Sequence, residues 1–195
     1  MRVVVVVAHP NPGSFGQAIA TTAVVALREA GHDVTVLDLY AERFRTAMTR
    51  EERQAYHTDQ PILDPMVGRH ADVVNQAEAL VFVYPTWWST VPAILKGWLE
   101  RVMVPGVGFV FDAKHRVRPG LMHVRKVVGI STYGASWPYV KAINDNGRRT
   151  LMRALRLNTA LRTRRSWLAL YKMDRTTDAQ RAAFLRRVER KLRTL

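Results

Sequence analysis

The chain contains no cysteine, which excludes disulfides, thiolate metal sites and cysteine nucleophiles. It has no apolar run approaching the roughly 20 residues of a membrane-spanning helix. Val3–Val7 follows Met1-Arg2 but runs at once into His9-Pro10, too soon for the apolar region of a secretory signal. No repeat, linker or low-complexity stretch interrupts the 195 residues. A single domain over 1–195 with one sizeable core is expected, cytoplasmic by default. Several site signatures are missing too. Gly13 and Gly16 stand alone, without Gly-x-Gly-x-x-Gly, and no Gly-Lys-Ser/Thr follows them. Ser14, Ser89 and Ser131 lie in no Gly-x-Ser-x-Gly elbow. His57, His70, His115 and His123 show no metal-ligand spacing, so neither a hydrolase nor a metal site is expected.

Acidic residues are also scarce: 16 against 30 Lys and Arg, a net charge of +14. The excess is arginine, densest after Asp145 in Arg148-Arg149, Arg164-Arg165 and Arg186-Arg187. A basic face suits nucleic acid, an anionic surface or a phosphorylated substrate. With no helix-turn-helix, zinc-finger or aromatic RNA-binding motif beside the charge, a solvated arginine surface is favoured over nucleic-acid binding.

What is present reads as alternating strands and helices, in a chain whose 48% hydrophobic content suits a globular domain. Val3–Ala8 is a β-branched run suited to a strand buried on both faces. Ser14 caps a helix with Ile19, Ala23, Ala26, Leu27 and Ala30 inward and Gly31 at its end. Asp33–Leu39 is the second strand. The polar stretch from Tyr40 to His70 has Pro61 and Pro65 as breakers and a short helix near Thr49–Tyr56, and it suits a flap or a dimer contact. A helix over His70–Gln76 precedes the third strand, Ala79–Tyr84, bounded by Pro85. Val91, Ile94, Leu95, Trp98, Leu99 and Val102 then recur at helical spacing, with Ser89 or Thr90 as cap and Pro92 in the first turn. Residues 105–120 suggest a long excursion at the sheet's active edge. Lys126–Ser131 is the fourth strand, Tyr139–Leu155 a helix, Ser166–Tyr171 the fifth strand, and Asp178–Leu192 a last helix capped by Thr177 or Asp178. The pattern predicts a three-layer α/β doubly wound parallel sheet in the order 2-1-3-4-5.

In such a sheet, ligands bind at the carboxyl ends of the strands. Three loops converge there: 9–17, 85–90 and 132–139. The first offers His9, Asn11, Ser14 and free amides opening a helix, a site for an anion. The second carries Trp87-Trp88, two bulky aromatics that suggest a flat ligand, with at least one expected to pack into the core. Asp38 sits where a ribose-binding acid would, which keeps an NAD-binding Rossmann domain as an alternative.

These residues resemble a family. Ala8-His9-Pro10-Asn11 with Ser14-Phe15, Tyr84-Pro85-Thr86-Trp87-Trp88, Val91-Pro-Ala-Ile-Leu-Lys-Gly-Trp-Leu-Glu-Arg-Val102 and Ser131-Thr132-Tyr133-Gly134 together resemble the NAD(P)H:quinone oxidoreductases of flavodoxin-like fold. Bacterial relatives in that family include general NAD(P)H oxidoreductases and an ancillary subunit of glutathione-gated potassium channels. The likeness covers residues 2 to about 139; the last 50 match only in pattern. It implies a flavin whose phosphate lies on His9, Asn11, Ser14, Phe15, Gly16, Gln17 and Ala18. Pro85, Thr86, Trp87 and Trp88 would flank the ring, and Thr132, Tyr133 and Gly134 would cover its pyrimidine end. Donors aimed there would stabilise the charge left by hydride transfer. Tyr139 falls where relatives carry an active-site tyrosine, but the partner histidine of the animal enzymes is absent, with Asn144 or Asp145 near its place. The resemblance implies two-electron, ping-pong transfer from NAD(P)H to a quinone-like acceptor. The alternative is a flavin-bearing regulatory subunit that binds a protein partner. FMN is expected before FAD, because the long carboxyl-terminal extension that holds the adenine half in animal members has no room here. Surplus arginine suggests NADPH, and family sites completed across a two-fold axis imply a homodimer, with the aromatics of 105–115 as its hint.

Overall fold

The computed structural model describes all residues 1–195. Five strands form one parallel sheet: β1 (Arg2–Val7), β2 (Asp33–Asp38), β3 (Ala79–Thr86), β6 (Lys126–Tyr133) and β7 (Arg164–Leu170). Their order, β2-β1-β3-β6-β7, is the predicted doubly wound one. Alternate side chains of a strand face opposite ways, so a sheet covered on both sides needs unbroken apolar runs. β1 shows why. Val4 and Val6 enter a core of 26 residues on one face, and Val3, Val5 and Val7 enter one of 17 on the other. The first face is covered by α3 (Pro65–Gln76), α4 (Ala93–Val102) and α6 (Asn146–Asn158); the second by α1 (Phe15–Glu29) and α7 (Asp178–Arg193).

Local signals set most boundaries. Ser14 caps α1 by accepting the Gln17 amide, and Gly31 follows its end at φ +78°. Thr177 and Gln180 form a capping box on α7, as Thr49 and Glu52 do on α2 (Arg50–Ala55). Pro65, expected to break structure, instead opens α3 with Asp64 as its cap, because proline's missing N–H is no loss in a first turn. β3 continues past Tyr84 through Pro85, which pairs with Thr132, and ends at Thr86. α4 begins at Ala93 with Pro92 as N-cap and no side-chain cap; neither Ser89 nor Thr90 performs that role.

Residues 105–120 form a small antiparallel hairpin, β4 (Phe109–Phe111) and β5 (Val117–Pro119). The polar stretch before α3 is held inward by a buried cation. Arg101 of α4 reaches Glu52, Asp64 and the Arg45 carbonyl. Its guanidinium holds the Asp64 carboxyl at about 2, below the usual range.

The helix expected over 139–155 is two helices. α5 (Trp137–Ala142) ends, Asn144 and Asp145 take positive φ of 74° and 48°, and α6 restarts on a new axis. Asn and Asp tolerate the left-handed region better than other non-glycine residues. Gly147 then lies so close to β3 that an added Cβ would stand 2.5 Å from Thr86 Oγ1. No helix is long and apolar enough to cross a membrane.

Candidate active site

At the carboxyl edge of the sheet lies a cavity of about 420 Å³. Nine of the residues singled out in the sequence line it: His9, Pro85, Thr86, Trp87, Trp88, Thr132, Tyr133, Gly134 and Tyr139. Asn11, Ser14, Phe15, Gly16, Gln17 and Ala18 do not. They form the adjoining turn into α1. No residue of the 105–120 hairpin lines the cavity, so that excursion does not reach the site within one chain.

The α1 turn is built to present donors. The Asn11 side chain accepts the Gly13 amide and Ser14 Oγ accepts that of Gln17. No protein acceptor takes the amides of Phe15 or Gly16, at the positive end of the helix dipole. The Asn11 amide donates to His9 Nδ1 at 3.1 Å, so that nitrogen is unprotonated and the proton of the neutral ring sits on Nε2. Burial pushes the His9 pKa below its ordinary value. The ring rests on Gly16, where an added Cβ would stand 3.0 Å from it, and tilts against Trp87 at 5.8 Å between ring centroids. Gln17 and Asp38 are committed elsewhere. Gln17 donates to Asp38, whose other oxygen accepts the Tyr40 and Ala41 amides. That leaves Asp38 no free role as a ribose ligand. Phe15 packs on Phe184 beneath Arg181.

Neither tryptophan enters the core, contrary to expectation. Trp87 is 43% exposed and Trp88 98%. The reason is the turn. Trp87 and Thr90 exchange both backbone hydrogen bonds, and Trp88 and Ser89 between them have φ of 47° and 61°, a two-residue hairpin turn of the kind that usually takes Asn-Gly. It lifts both rings above the sheet edge. The amides of Trp88 and Ser89, and of Gly134 and Ala135 opposite, have no acceptor in the protein. Strained non-glycine backbone clusters at functional sites.

The floor is a buried hydrogen-bonded set. Tyr133, 2% exposed, donates to Asp145 Oδ1 at 2.9 Å and stacks on Tyr171 at 4.8 Å. Burial, and then the Asp145 charge beside it, push the Tyr133 hydroxyl far above its ordinary pKa. Thr86 and Ser131 share a hydrogen bond of 2.9 Å, and Tyr84 donates to the Gly147 carbonyl at 2.5 Å. Of the two residues near the missing histidine, Asp145 lines the cavity and is 5% exposed, whereas exposed Asn144 donates to Asn146. Asp145 pairs with Tyr133, not Tyr139. Tyr139 is 58% exposed and makes no side-chain hydrogen bond, so the cavity has no tyrosine–acid relay through it.

Sequence reasoning missed Met173 and Asp174, which close the cavity from a short 3-10 turn, Met173–Arg175. The carboxyl-edge rule applied to the fifth strand would have pointed there.

The sequence and the fold are similar to those of known proteins. The chain is 31% identical over 153 residues to the NAD(P)H dehydrogenase [quinone] 1 of Cavia porcellus, covering 71% of this chain and 55% of that one. It is 33% identical over 137 residues to an uncharacterized NAD(P)H oxidoreductase of Haemophilus influenzae, covering 70% and 66%. The chain thus spans about half to two thirds of the length of the curated relatives it matches. The solved NAD(P)H:quinone oxidoreductase of Methanothermobacter marburgensis superposes with a TM-score of 0.81 at 27% identity, over 99% of this chain and 96% of that one. A family model described as flavodoxin-like fold matches residues 1–192, and the chain belongs to that family.

Proposed function

We propose that the chain is a flavin-dependent NAD(P)H oxidoreductase that passes hydride from NAD(P)H to a quinone-like acceptor. One observation carries this reading: a cavity with aromatic walls and unpaired backbone donors beside an open helix N-terminus. The names of the relatives support it. A bound flavin would supply the acceptance and donation of hydride. The chain's residues bind, orient and shield. His9 Nε2–H and the amides of Phe15 and Gly16 hold a phosphate. Trp87 and Trp88 would wall a flat ring, and the free amides of residues 88, 89, 134 and 135 would supply donors that stabilise negative charge on it. Tyr133, held by Asp145, fixes the floor, and exposed Tyr139 stands at the mouth through which donor and acceptor enter in turn.

FMN is the first candidate and FAD the second; chromatography of heat-released cofactor distinguishes them. Purified protein with a flavin absorbance band that bleaches on adding NADPH and returns with a quinone supports the reading. Protein that stays colourless after incubation with either flavin overturns it. Turnover with quinones separates the enzyme from a regulatory subunit. We also propose a homodimer through the hairpin, where Val110, Phe111 and Val117 are exposed. Sedimentation of wild type and of Phe111→Glu tests it, with a monomeric wild type counting against it.

A further inference from the structure

The arginine excess is not all dispersed over a solvated surface. Beside the site just described, α5, α6 and β7 line a second, open cavity of about 330 Å³. Lys141, Arg148, Arg149, Arg153, Arg156 and Arg165 line it. Arg149, Arg153 and Arg156 recur at i, i+4 and i+7 on the face of α6 that turns away from its core residues Leu151 and Leu155. Arg165 and Trp167 are two apart on β7 and therefore share a face.

Six cations here face a single carboxylate, Asp145. Other arginines are paired: Arg101 with Glu52 and Asp64, Arg116 and Arg118 with Asp112, Arg125 with Glu78, Arg193 with Glu29 and Glu189. None of the six takes part in any ion pair, and the one acid in the wall, Asp145, accepts the Tyr133 hydroxyl. Only four buried side-chain donors or acceptors in the chain lack a partner, and two of them, Arg165 Nη1 and Trp167 Nε1, belong to this wall. Like charges converging on a concavity repel one another, and enclosed N–H groups without acceptors lose their hydration uncompensated. An anion in the cavity relieves both.

The two cavities meet at Asp145, which lines each. We propose that the second cavity receives the phosphate groups of the dinucleotide donor, NADPH in preference to NADH, while its nicotinamide enters the first. This rests on the reductase reading above. Guanidinium forks match phosphate oxygens in pairs, and a 2′-phosphate brings the extra dianionic charge that six unpaired cations accommodate. The cations line one concavity instead of tracking an extended stripe, which suits a small phosphorylated ligand and not a nucleic-acid backbone.

Titration calorimetry at low salt, with inorganic pyrophosphate and adenosine 2′,5′-bisphosphate as probes, reads the cavity without flavin or turnover. Both probes are expected to bind and to be displaced by NADPH. Arg153→Glu with Arg156→Glu, both on exposed helix positions, is expected to weaken the probes by about tenfold or more. The same pair should raise KM for NADPH relative to NADH while kcat and the visible spectrum stay unchanged. Arg186→Glu with Arg190→Glu, both exposed on α7, matches the change in net charge and should change none of these. The proposal is overturned by failure of both probes to bind, by equal weakening from Arg186→Glu with Arg190→Glu, by pyrophosphate that NADPH does not displace, or by duplex DNA binding more tightly than the bisphosphate. If the chain takes up no flavin, the reductase reading falls, and displacement of the probes by NADPH still decides the cavity.

Discussion

Tyr133 and Asp145 show how much of the site rests on one hydrogen bond between buried groups. Asp145→Ala leaves the enclosed Tyr133 hydroxyl without an acceptor, and is expected to cost about 1–3 kcal/mol in a urea melt. Tyr133→Phe should cost at least as much, because it leaves the buried Asp145 carboxylate without its donor and an unsatisfied charged group costs more than a hydroxyl. The pair also shapes the alkaline limb. A tyrosine whose folded pKa is raised by burial and a neighbouring carboxylate keeps its proton while the unfolded chain loses it. Its contribution is therefore complete below the unfolded value of about 10 and declines as pH rises above it. Tyr133→Phe is expected to flatten that decline, as followed by denaturant midpoint against pH. None of this was legible in sequence. Tyr133 read as one of three loop residues, and Asp145 as a neighbour of a missing histidine; only the helix break turns its carboxylate inward.

Between elements, two features set where chain segments lie. The turn after β3 holds Trp88 and Ser89 at positive φ, which costs about 1 kcal/mol at each non-glycine position. Ser89→Gly is therefore expected to stabilise the fold by about that amount, with the melting temperature as readout. Trp88→Gly should relieve the same strain but remove a wall of the cavity and weaken cofactor retention. Arg101 links α4 to Glu52 of α2 and to Asp64 at the start of α3. Arg101→Ala leaves Glu52 and Asp64 to the half-exposed Arg45 alone, at 3.0 and 3.4 Å, and is expected to cost about 3 kcal/mol, the lower end for breaking a buried pair. Because Asp64 titrates at about 2 in the folded chain, its contribution is present above the unfolded value of about 4 and disappears as pH falls through about 2. The acid limb of the Arg101→Ala variant should accordingly be shallower than that of wild type.

Across the whole molecule, charge is the unusual property. A net charge of +14 on one domain means that repulsion outweighs attraction among exposed groups, despite its surface ion pairs. Raising ionic strength from about 0.02 to about 0.2 M, which shortens the screening length below typical inter-charge distances, is expected to raise the melting temperature. A fall would mean that the ion pairs carry more weight than the excess arginines.

The fold was legible because its determinants are local. Apolar runs, caps and glycines along the chain identified five strands and their connecting helices, and the handedness of crossovers favoured the strand order observed. The Pro-Ala-Ile-Leu-Lys-Gly-Trp segment and the His9 and Trp87 loops pointed to the edge where the cavity lies. Tertiary packing decided the rest. It kept both tryptophans out of the core, because a strained two-residue turn, and not hydrophobicity, sets where they point. It split one helix into α5 and α6, brought Met173 and Asp174 to the rim from a distant loop, and gathered dispersed arginines around one concavity. The turn and the helix break are left-handed backbone at non-glycine residues, which no residue type there announces, and the rim and the arginine concavity depend on segments remote in sequence.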